Sequence, residues 1–127
     1  MKGDFKKAKE ISAATKIKVL ERQQYKSISG VNLYGKTIEF HHVRPRSSSG
    51  VGYEWNIVAI TADEHRDLTD KKDIKVNGKE RYTWKEFDTL CRNHLKRKYN
   101  GWTYERCKYQ KGFEISDYGV TRNESNW

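Results

Sequence analysis

Glu39-Phe40-His41-His42-Val43-Arg44-Pro45, followed by Asn56 and then by Glu64-His65, is the stretch whose reading decides the fold. Over 36–43, Ile38 and Phe40 alternate with Lys36, Thr37 and Glu39, the period-two pattern of a half-buried strand. Pro45 has no N–H to give to a sheet ladder and ends it. Arg46-Ser47-Ser48-Ser49-Gly50-Val51-Gly52 reads as a flexible loop, and 55–60 as a second, short apolar strand that carries Asn56. Thr61-Ala62-Asp63-Glu64 is a capping box, in which hydroxyl and carboxylate satisfy each other's free amides at a helix start. A helix is therefore expected from about Ala62, with His65 in its first turn. The order is strand, loop, strand, helix.

Outward from this unit, 12–24 has helical periodicity with Ala13, Ile17 and Leu20 on one stripe, and Ser27 to Gly30 reads as a turn. Ile74 to Tyr82 reads as a hairpin on Asn77-Gly78, the pair that favours a type I′ turn. Thr83-Trp84-Lys85-Glu86 is a second capping box. The helix it opens places Phe87, Leu90, Cys91 and Leu95 at core spacing and should stop near Asn100-Gly101. From Trp102 on, the chain is aromatic and charged without a period, and no element is predicted. His94 is expected at the edge of the core. Trp84, Trp102, Tyr99 and Tyr104 are assigned to a small core sealing the last helix.

The chain has 127 residues and no Pro/Gly/Ser-rich linker, so one domain spanning 1–127 is expected, with its central motif at about 36–70 and a hairpin and helix at about 73–100. Its net charge is +9, with Lys and Arg spread along the whole length, which points to a polyanion as partner. No apolar run approaches the roughly 20 residues of a membrane span, and the N-terminus lacks an apolar signal core. These features imply a soluble, cytoplasmic protein with no membrane partner. Cys91 and Cys107 lack CxxC spacing and read as small buried side chains.

Hydrolysing a phosphodiester at neutral pH takes a base for water and a cation for the charge that develops on phosphate. A histidine suits the first role and one divalent metal the second. His41 and His42 are adjacent, so in a regular strand they face opposite ways. Sharing one site would require the strand to distort near Val43-Arg44-Pro45. Asn56, from the paired strand, is placed to hold a histidine by a hydrogen bond, and His65 to complete the site from the helix.

The segments Glu39 to Ser47, Gly50 to Val58 and Glu64 to Leu68, with Glu21-Arg22-Gln23 ahead of them, resemble the HNH endonuclease family of ββα-metal nucleases, in particular its small phage-type members. The resemblance is close over about 10–70 and looser at Tyr99 to Trp102. It implies an α+β fold with a ββα-metal (His-Me finger) motif flanked by N- and C-terminal helices, and metal-dependent cleavage of DNA. By that resemblance His42 is the general base and Asn56 an orienting residue, while His41 and His65 are metal ligands. Arg44, Arg46, Arg66, Lys71 and Lys72 are expected to contact phosphates.

Two departures from the family pattern matter. Many relatives carry two CxxC pairs that bind a structural zinc. The corresponding positions here look like Ser27 and Gly30, then Thr61 and Glu64, so no structural zinc is expected. Where some members place another metal-binding histidine, this chain has Thr69, with Asp70 beside it. Asp70, Thr69 or water is left as the third ligand. With a carboxylate the site would favour Mg²⁺ or Mn²⁺, and Ni²⁺, Co²⁺ or Zn²⁺ would also fit. Phage packaging proteins as partners are implied by resemblance only. The rival readings are a DNA-binding module with a decayed nuclease site and a nuclease directed at RNA.

Overall fold

Ser12 opens the first helix whose start can be read from its cap: its Oγ accepts the Thr15 amide at 3.1 Å. The computed structural model describes the backbone of residues 2–127 and the side chains of residues 5–127. In chain order the fold is α1 (Lys2–Lys9), α2 (Ala13–Arg22), β1 (Ile38–His42), β2 (Ile57–Thr61), α3 (Ala62–Thr69), β3 (Ile74–Val76), β4 (Lys79–Tyr82), α4 (Trp84–Lys98), β5 (Tyr99–Asn100) and β6 (Thr121–Arg122). The strands pair as three separate antiparallel ribbons, β1–β2, β3–β4 and β5–β6, so the protein is α+β. Among the described residues no helix is long and apolar enough to cross a membrane.

The β1–β2 ribbon has two apolar faces. On one, Ile57 and Ala59 pack with Val19 of α2 and Leu33, flanked by Ile38 and Phe40. On the other, Val58 and Ile60 join Leu68 of α3 and Phe87, Cys91 and Leu95 of α4 in the larger core. Both cysteines are buried free thiols, Cys107 with its pKa pushed up to about 12, chiefly by burial.

Three details depart from the sequence expectation. The stripe expected on α2 is misplaced: Ile17 is 56% exposed, whereas Val19, Arg22 and Gln23 are buried. Gln23 explains the rotation. Its side-chain amide pairs with the backbone of Ala59 as another strand would, accepting from the Ala59 amide at 2.9 Å and donating to the Ala59 carbonyl at 2.8 Å. Asn56 does not lie on the second strand; it ends a 3₁₀ turn, Glu54–Asn56, that precedes β2. Finally, the chain beyond Trp102, for which no element was predicted, returns β6 to pair with β5 and ties off α4, where Asn123 and Asn126 donate to the Arg97 carbonyl.

Both capping boxes form, at Thr61/Glu64 and at Thr83/Glu86. Glu64 does more than cap. Its carboxylate is buried and accepts from the Thr61 amide at 2.9 Å, from the Ser27 hydroxyl at 2.5 Å and from the Ser29 hydroxyl. The loop after α2 is thereby pinned to the start of α3. Glu64→Ala leaves two buried or half-buried hydroxyls and one amide without their acceptor. It is expected to lower unfolding free energy by about 3 kcal/mol in urea titration.

Candidate active site

β1 is an edge strand, and the antiparallel register pairs His41 with Val58 and His42 with Ile57. The strand stays regular through His42. The two histidines therefore point to opposite faces, and the distortion that would bring them together does not occur. They share a site by another route: one open cleft of about 1120 Å³ straddles the free edge of β1 and is lined by His41, His42 and His65 alike.

On the α3 side, the His41 and His65 rings lie edge to face with centroids 5.2 Å apart. The imidazole of His41 is pushed down to about 3 by burial first, and then by His65 and His42, so it is a neutral lone-pair donor. His65 Nδ1 lies 2.5 Å from Glu39 Oε1. With Nδ1–H donating to that carboxylate, the Nε2 lone pair is left free, the arrangement by which outer carboxylates orient metal-binding histidines. Sequence reasoning missed Glu39. The available signal was its place two residues before His41, on the same face of the strand.

On the other side, His42 Nε2 meets the Lys9 carbonyl at 2.8 Å. A carbonyl only accepts, so Nε2 carries the proton and Nδ1 the lone pair. Burial lowers the His42 pKa; the Lys9 carbonyl works against this, while Arg46 and His65 add to it. The last turn of α1, outside every sequence-predicted element, thus orients this ring. It is held there by close backbone contact: the Gly52 amide donates to the Ala8 carbonyl at 2.8 Å, and a Cβ on Gly52 would lie 2.2 Å from the Glu10 carbonyl oxygen.

Asn56 is fully buried and holds neither histidine directly. Its Oδ1 accepts the Arg44 amide at 2.7 Å, and its Nδ2 donates to the carbonyls of Arg44 at 3.1 Å and Val51 at 2.8 Å. One side chain thus clamps both ends of the loop that follows His42. Asp70 is exposed at the C-cap of α3 and is not among the residues lining the cleft. Five residues of helix separate it from His65, a rotation of about 140° away from that face. Among the described residues no group of three His, Cys, Asp or Glu side chains converges as a metal site.

The five expected phosphate contacts divide. Arg46 and Lys71 line the cleft, whereas Arg44, Arg66 and Lys72 do not. The Arg44 guanidinium is tied to the Ser48 carbonyl at 2.7 Å and pairs with Glu105 at 3.6 Å. Arg66 pairs with Asp63 across an exposed helix face. Lys9, Lys16 and Arg92 line the cleft and were not singled out in the sequence, because the elements that bring them there are distant in the chain. Trp84 and Tyr104, assigned to the core, pack against it and also form part of the cleft wall. No family model, curated protein or solved structure matches this chain.

Proposed function

We propose that the protein is a metal-dependent DNA endonuclease of the ββα-metal type, hydrolysing phosphodiester bonds with His42 as general base. One observation carries this reading. Three of the chain's four histidines, from positions 41, 42 and 65, line a single open cleft together with Lys9, Lys16, Arg46, Lys71 and Arg92. Cations of this number suit a phosphate backbone, and imidazoles suit proton transfer and metal binding near pH 7.

The residues present fit a divalent ion on two imidazoles, His41 and the free Nε2 of His65, with the remaining positions open to solvent or substrate. With Asp70 on another face of α3, the donor set favours Mn²⁺, Co²⁺, Ni²⁺ or Zn²⁺ over Mg²⁺, which prefers oxygen ligands. When bound there, such an ion supplies positive charge to the scissile phosphate and the leaving oxygen. Glu39 keeps His65 in the tautomer that leaves Nε2 free. The His42 Nδ1 lone pair takes a proton from water, while the Lys9 carbonyl fixes the ring. Asn56 holds the loop that carries Arg46 beside the cleft.

The test is nicking of supercoiled plasmid by the whole protein with Mg²⁺, Mn²⁺, Ni²⁺ or Zn²⁺, and with chelator. Nicking with at least one transition ion, abolished by chelator, is the expected result. Protein that binds DNA but cuts with none of these ions has a binding role alone.

A further inference from the structure

Lys71 is the residue just past α3, and it adopts a left-handed backbone with φ of 55°. The helix ends as a Schellman motif: the Lys71 amide donates to the Leu68 carbonyl and the Lys72 amide to the Asp67 carbonyl. That position is usually glycine, because a Cβ is strained there. A lysine at a strained position draws attention to its side chain, since strain of this kind gathers at functional sites. Its ammonium lies 5.4 Å from the centre of the Trp84 ring, in the wall of the cleft. Lys85 lies 5.6 Å from the same ring. Among the described residues neither ammonium has a hydrogen-bond or ion-pair partner.

Trp84 differs from Tyr104, which also lines the cleft. Tyr104 is flanked by guanidiniums, Arg92 at 4.3 Å and Arg44 at 4.8 Å, and Arg92 is further fixed by Asp88 at 2.9 Å. Trp84 is half-buried: it packs against the core, and the cations beside its ring are flexible lysines that a planar ligand can displace. An indole face with ammonium groups beside it matches a nucleobase with its neighbouring phosphates, and only a base outside a duplex stack can reach it.

Building on the nuclease reading, we propose that the α3–α4 wall of the cleft is a subsite for single-stranded or locally unpaired DNA. In it Trp84 stacks on an unstacked base, and Lys71 and Lys85 hold the flanking phosphates. The cleft would then prefer a strand that is already open to an intact duplex.

The experiment is fluorescence anisotropy with a short labelled single-stranded oligodeoxynucleotide and with its blunt duplex, in chelator so that nothing is cut. Wild type, Lys71→Gly and Trp84→Leu are compared, each with a thermal melt. Lys71→Gly is expected to melt at or above wild type, because the backbone strain is gone, yet to bind the single strand several-fold more weakly. Trp84→Leu is expected to lose about tenfold for the single strand and less for the duplex. Should Lys71→Gly bind the single strand as wild type does, or Trp84→Leu weaken both ligands equally, the subsite is overturned and the nuclease reading stands. Wild-type protein that binds neither ligand sinks both.

Discussion

His42→Ala is expected to lower metal-dependent plasmid nicking by about 10²–10⁴-fold, the usual contribution of a positioned general base. Binding to DNA in chelator should be nearly unchanged. The two readouts separate because His42 sits at the end of β1, where, among the described residues, its ring makes a single hydrogen bond, to the Lys9 carbonyl at 2.8 Å. Losing that bond costs about 1 kcal/mol of stability, too little to unfold the domain. Burial, the first cause of its lowered pKa, keeps the ring neutral near pH 7, ready to take a proton. His41→Ala should also abolish nicking, but through the metal, so added metal should partly restore it and should leave His42→Ala inactive. Activity that survives His42→Ala places the base on another residue.

What was legible in the sequence was local. Thr61 with Glu64 and Thr83 with Glu86 each close a capping box over three residues, and Asn77-Gly78 sets a hairpin between neighbours, so α3, α4 and the β3–β4 ribbon could be read directly. The alternation around Ile38 and Phe40 gave β1 and, with it, the opposite facing of His41 and His42. What was not legible depends on contacts far apart in sequence. The burial of Gln23 follows from its pairing with Ala59, 36 residues on, so no period on α2 predicts it. β6 exists because it returns to β5, and α1 is tied to the site through backbone atoms, which no side-chain pattern encodes. Asn56 was found by motif, yet its task, clamping a loop rather than a histidine, emerged only from its three hydrogen bonds.

The largest effect on stability is expected at Arg22, which is 4% exposed. A guanidinium has five N–H donors, and here each has an acceptor. Nε donates to His94 Nε2 at 2.9 Å. One terminal nitrogen donates to the Glu54 carbonyl at 2.9 Å and the Tyr99 hydroxyl at 3.0 Å. The other donates to Gln23 Oε1 at 3.2 Å and the Ile57 carbonyl at 2.7 Å. α2 is thereby fastened to the turn that carries Asn56, to the first residue of β2 and to α4. Arg22→Met fills much of the volume but orphans these acceptors together, and is expected to cost about 3–5 kcal/mol in urea unfolding. Arg22→Lys keeps the charge and still fails, because three donors on a flexible stem cannot reproduce a planar fork. Acid gives an independent check. Burial, then the Arg22, Arg97 and Lys98 charges, push His94 down to about 3 from its ordinary value of 6.5. Its folded pKa is thus the lower one, so the stability it confers is present above pH 6.5 and is lost as pH falls from there toward 3, at up to about 1.4 kcal/mol per pH unit. Arg22→Met removes one of the causes of that depression, so the variant should be less stable than wild type at pH 7 and its acid loss should level off at a higher pH than the wild type's. Acid losses that level off at the same pH in the two proteins would mean that Arg22 does not hold His94 neutral.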